Sequence, residues 1–88
     1  MAILMKRGDS EPEEVLGVGE IFNMGELPVF RYYHKGLVNT SFVYGWVNEK
    51  FEINGKTFNS KTDFTELYAT LKAEIDLAGL EWKSTKET

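Results

Sequence analysis

The chain has 88 residues, 42% of them hydrophobic and 14% aromatic, with a formal net charge of −4. That length makes one domain, and the absence of cysteine excludes disulfide staples and thiolate metal sites. No apolar run approaches the roughly 18 residues of a membrane span, and Ala2-Ile3-Leu4-Met5 is too short for a signal-peptide core, so the expected setting is the cytoplasm with no membrane partner.

In chain order, Met1–Lys6 reads as a short edge strand or a loose terminus. Arg7–Glu14 reads as a linker of Gly, Asp, Ser, Pro and acids, so residues 1–14 are expected as a flexible or edge-strand N-terminal segment before the sheet of 15–58. Val15–Met24 reads as a strand in which Gly17 and Gly19 predict a bulge or a close backbone approach. Gly25–Pro28 is a turn. Val29–His34, β-branched and aromatic throughout, is a clear strand. Lys35–Asn39 is a loop around Gly36, and Thr40–Val47 is the second clear strand.

After Asn48-Glu49-Lys50, Asn54-Gly55 sits between Phe51-Glu52-Ile53 and Lys56-Thr57-Phe58. This dipeptide favours a two-residue hairpin with positive φ at both positions, and it sets Phe51 opposite Phe58. Ser60–Glu66 then supplies side-chain oxygens suited to a helix start. From Asp63 to Ala78, the residues Phe64, Leu67, Tyr68, Leu71, Ile75 and Ala78 make one apolar helical stripe, with Leu77 off it. Gly79 is the expected left-handed terminator, Leu80 folds back on the last turn, Trp82 packs nearby, and 83–88 fray. The expected fold is α+β: a two-layer sandwich of a four- to five-stranded antiparallel sheet over 15–58 with a C-terminal helix, 63–78, packed on one face.

Placing His34 opposite Thr40 sorts the two clear strands into faces. One face is Phe30, Tyr32, Phe42, Tyr44 and Trp46; the other is Val29, Arg31, Tyr33, Val43, Gly45 and Val47. A chain this small needs the aromatic face for its core. The second face is then too apolar for water without a partner, and Arg31 and Tyr33 are residue types that carry binding energy. A helix on the second face, with Gly45 allowing close approach, would expose the aromatic face instead.

The charge is segregated. Between Gly8 and Phe30 stand Asp9, Glu11, Glu13, Glu14, Glu20 and Glu26 without a single base, while eight acids balance eight bases from Leu27 onward. An acid-only segment reads as a solvated stretch or as a steering surface for a basic partner.

No catalytic, metal or cofactor site is expected. His34 is the lone histidine, at a strand end that reads as solvent-exposed, and no motif pairs it with a nucleophile. Glu11, Glu13 and Glu14 lack the burial that separates the pKa values of an acid–base pair. Asp9–Glu13 lacks calcium-loop spacing, and Gly17-Val18-Gly19 is too short for a phosphate-binding loop. Arg7-Gly8-Asp9-Ser10 and Asn39-Thr40-Ser41 match adhesion and glycosylation motifs that matter only outside the cell.

The functional expectation is a non-enzymatic, small acidic protein-binding module. Its partner-binding residues are Arg31, Tyr33, Val43 and Val47, with Glu11, Glu13, Glu14 and Glu20 steering a basic partner. Small acidic proteins of this build, virus-encoded ones among them, often act as inhibitors or adaptors on nucleic-acid-handling machinery. Two alternatives stand beside it: single-stranded nucleic-acid binding through the sheet aromatics, and a homo-oligomeric structural subunit.

Overall fold

The computed structural model describes residues 3–34 and 39–79. They form a small α+β domain of seven strands and one helix: β1 Leu4–Arg7, β2 Glu13–Val18, β3 Phe22–Met24, β4 Leu27–His34, β5 Asn39–Tyr44, β6 Lys50–Ile53, β7 Lys56–Asn59 and α1 Phe64–Leu77. Every strand pairing is antiparallel. β5 runs along Val29–His34 on one side of β4, so β2 and β3, which pair with opposite ends of β4, share its other side. The spatial order is β5, β4, β2 with β3, β1, β6, β7.

Seven strands replace the four or five expected, for two reasons. The stretch 15–24 is broken at Gly19–Ile21 into β2 and β3. The N-terminal segment, expected at an edge or loose, instead supplies β1 to the sheet interior, between β2 and β6. Ile3 and Met5 anchor it by burying fully. The expected 7–14 linker is correspondingly short, because Glu13 and Glu14 already belong to β2.

The bulge forecast by the paired glycines lies in β2, where Val15 pairs with His34 and Gly17 with Tyr33. Its physical role is phase correction. Val15 and Val18 are three residues apart, which on a regular strand puts them on opposite faces. One extra residue restores both to the core, where neither has exposed surface.

At the other hairpin, Asn54 and Gly55 adopt φ of 49° and 91°, and Phe51 faces Phe58. The Asn54 side chain also accepts the Leu4 N–H at 3.0 Å, and the Asn54 N–H donates to the Leu4 carbonyl at 3.0 Å, tying this turn to β1.

The helix buries Phe64, Leu67, Leu71 and Ile75 against Ile3, Met5, Val15, Val18, Phe30, Tyr32, Val43, Phe51, Ile53 and Phe58, with Tyr68 and Ala78 packed at its margin. Gly79, at φ 75°, follows the C-cap Ala78. The oxygens before the helix act differently from expectation. The Asp63 carboxylate makes no cap bond to the helix and accepts the Asn59 N–H at 2.8 Å. Asn59 Oδ1 accepts from the Lys61 and Thr62 amides. Ser60, fully buried, accepts the Glu49 N–H at 3.1 Å and donates to the Val47 carbonyl. These groups therefore lock the turn between β7 and α1. The expected behaviour of Leu80, Trp82 and 83–88 lies outside the described residues, as does most of the 35–39 loop.

Candidate docking face

The register of β4 against β5 determines what faces outward. Phe30 pairs with Val43, Arg31 with Phe42, Tyr32 with Ser41 and His34 with Asn39, one residue away from the expected pairing of Phe30 with Tyr44. Because directly opposed residues share a face, a one-residue slip exchanges the two faces of β5. Val43 therefore enters the core at 0% exposure, correcting its expected place on the outer face. Phe42 and Tyr44 come outward beside Val29, Arg31 and Tyr33. The physical reason is volume: Phe30 and Tyr32 already share the helix side with Phe51, Phe58 and Phe64, and a valine fits between them where a tyrosine does not.

The face opposite the core cluster thus carries part of each expected set. A row of half-buried rings runs along it. Phe22 meets Phe42 edge-on at 6.3 Å, Phe42 stacks on Tyr44 at 6.3 Å with 20° between planes, and Tyr44 leans on Trp46 at 5.3 Å. Arg31 lies over Phe42, its guanidinium carbon 5.3 Å from the ring centroid, and its Nε is buried without a hydrogen-bond partner. Val29 lies between its cross-strand neighbours Phe22 and Tyr44 and is fully covered by them, while Tyr33 keeps only 8% exposure. At the β3–β4 tip, paired Met24 and Leu27 are both exposed, on the same face. Val47, at 37%, sits in the turn after the strand.

The four expected steering acids do not gather into one patch. Glu14, exposed and paired with the exposed Leu4, belongs to the outer face. Glu11 is exposed in the connection before β2. Glu13 turns the other way, its Oε1 3.3 Å from His34 Nδ1. Glu20 is exposed near the helix, where its charge acts on Tyr68. Burial first, and then Glu20, push the Tyr68 phenol above its ordinary value of 10.0.

His34, expected to be exposed, is buried at 7%. Its Nε2 hydrogen-bonds Ser41 Oγ at 3.0 Å. Nδ1 is within ion-pair distance of Glu13 but is not aligned for a hydrogen bond. Serine, imidazole and carboxylate in sequence resemble a nucleophile relay. However, Ser41 lies mid-strand at a position whose amide bonds within the β4–β5 ladder, and so cannot serve as an oxyanion donor beside its own hydroxyl. Among the described residues, no three His, Asp or Glu side chains are placed to hold a metal ion, and no helix is long and apolar enough to cross a membrane.

Sequence reasoning missed Phe22 and Met24 as outward residues. Their signal was the i, i+2 spacing within 22–24, obscured by the glycines that precede it. No protein-family model, curated protein or solved structure matches this chain.

Proposed function

We propose that this chain is a non-enzymatic binding module that docks a protein partner on the helix-free face of its sheet, with the helix and sheet acting as two layers and the second face left for the partner. The observation that carries this reading is the half-buried ring row of Phe22, Phe42, Tyr44 and Trp46, with the partly exposed Arg31 stacked on Phe42. Arg31 as a whole stays partly exposed, so its guanidinium can anchor a partner carbonyl or carboxylate beside the ring row, as aromatic and arginine anchors do at interfaces. Val47, Met24 and Leu27 supply an apolar rim. The net charge of −4 steers a basic partner from a distance even though Glu11, Glu14 and Glu20 are dispersed. An inhibitor or adaptor acting on a nucleic-acid-handling protein fits this chemistry.

The test is affinity capture from the native host's lysate, with and without nuclease. An Arg31→Ala/Tyr44→Ala double variant and the exposed helix variant Thr65→Ala serve as comparisons. Nuclease-resistant capture that the double variant loses and Thr65→Ala keeps supports the reading. Equal capture by the double variant rules this face out.

The stacked pair Phe42–Tyr44 beside Arg31 favours one second reading, a platform for single-stranded nucleic acid. That reading requires quenching of Trp46 fluorescence by short oligonucleotides, reversed by salt.

A further inference from the structure

From the geometry of β5 we infer a second interaction site, at the sheet edge rather than over its outer face: β5 pairs antiparallel with β5 of a second copy of this chain. Among the described residues β5 pairs only with β4, so its other side carries backbone groups without a strand partner. Which groups these are follows from the ladder. Gly45 N–H donates to the Pro28 carbonyl at 2.9 Å. Bonded and non-bonded positions alternate in an antiparallel pair, so Val43 and Ser41 bond to β4 while Thr40, Phe42 and Tyr44 direct N–H and C=O away from it. On the far side of β4, the Gly19 N–H reaches the Arg31 carbonyl at 2.7 Å, as this phase requires. The Tyr44 carbonyl takes the Val47 N–H at 3.2 Å, leaving Thr40 and Phe42 with both groups open among the described residues.

The occupant is a second copy because the edge is self-complementary. Residues 39–44, Asn-Thr-Ser-Phe-Val-Tyr, contain no charge and no proline, two of the devices that blunt an edge. Pairing this strand with itself places no like charges opposite one another. The net charge arises from the acids of 9–26, which lie on other elements. The sheet's opposite edge is protected: β7 has four residues, begins with Lys56 and lies against α1. The ladder phase also sets the symmetry. A two-fold axis beside Phe42 aligns outward-directed groups on both strands, with Phe42 facing Phe42 of the second copy and Thr40 facing Tyr44 of the second copy. Opposed side chains share a face, so the ring row then continues across the axis.

The experiment is sedimentation of the full chain across concentration, together with single-cysteine crosslinking. The chain has no cysteine, so a Phe42→Cys variant can form only intermolecular disulfides. Its Cα separation in a bonded antiparallel pair, about 5.5 Å, suits that bond. Expected results are a mass that doubles as concentration rises, a monomeric Thr40→Lys variant with unchanged circular dichroism, and dimer-forming oxidation of Phe42→Cys but not of Glu74→Cys on the helix. A wild-type chain that stays monomeric at millimolar concentration overturns the inference, as does equal crosslinking of the two cysteine variants.

Discussion

Arg31 and Phe42 stand directly opposite each other on adjacent strands, and the guanidinium rests on the ring face. The contact contributes about 0.5–1 kcal/mol at a partly exposed site. Arg31→Ala should therefore lower the unfolding free energy by no more than about 1 kcal/mol. It should nevertheless abolish partner capture, since it removes the cationic anchor beside the ring row. Urea denaturation and the capture assay, run on one preparation, separate the two effects.

Gly45 illustrates a glycine required by space alone. A β-carbon there would lie 2.7 Å from Pro28 Cγ, closer than β-carbons pack, and 3.1 Å from Phe64 Cδ1, a tight contact. Gly45→Ala should destabilise by about 1–3 kcal/mol through overpacking, seen as a lower denaturation midpoint with an unchanged slope. Pro28→Ala in the same background should recover part of the loss by opening the site.

The helical stripe makes a sharper contrast. Leu71 is fully buried, whereas Leu77, six residues later, is 76% exposed. Leu71→Ala should cost about 2–5 kcal/mol by leaving a cavity, enough to unfold a substantial fraction of a domain with typical marginal stability. Leu77→Ala should fall within about 0.5 kcal/mol of the parent chain. Thermal melts of the two variants check both values.

Tyr68 sets an alkaline limit. Burial and Glu20 raise its folded pKa above the ordinary 10.0, so the folded chain holds the phenolic proton more tightly than the unfolded chain. The associated stability is complete below pH 10.0 and is lost as pH rises through the folded value. Tyr68→Phe should flatten the decline of stability above that pH, and the phenolate absorbance of the parent chain should show one late-titrating tyrosine that the variant lacks.

What the sequence revealed depended on how local its signals were. The Asn54-Gly55 turn, the stripe from Phe64 to Ile75 and the Gly79 stop act over a few residues, and each appears where its chemistry placed it. The alternation within β4 and within β5 was also legible, as was the glycine-marked bulge. The offset between the two strands was not, because the connecting loop carries no turn motif that fixes register. That single residue of slip moved Val43 inward and Phe42 and Tyr44 outward, remaking the candidate face. His34 was misread for a related reason: its partners Ser41 and Glu13 come from two other strands, and nothing near it in sequence signals either.

The interior position of β1 bears on how the chain folds. The pairs β3–β4, β4–β5 and β6–β7 join neighbours in sequence and can form early. The two halves of the sheet meet only when Met5 reaches Ile53 and Arg7 reaches Phe51, a closure across about half the chain. Such non-local pairing slows folding. The Arg7–Glu49 bidentate contact, at 2.8 and 3.1 Å, together with the Asn54–Leu4 bonds, forms at that junction, so these interactions should develop late and act chiefly to slow unfolding.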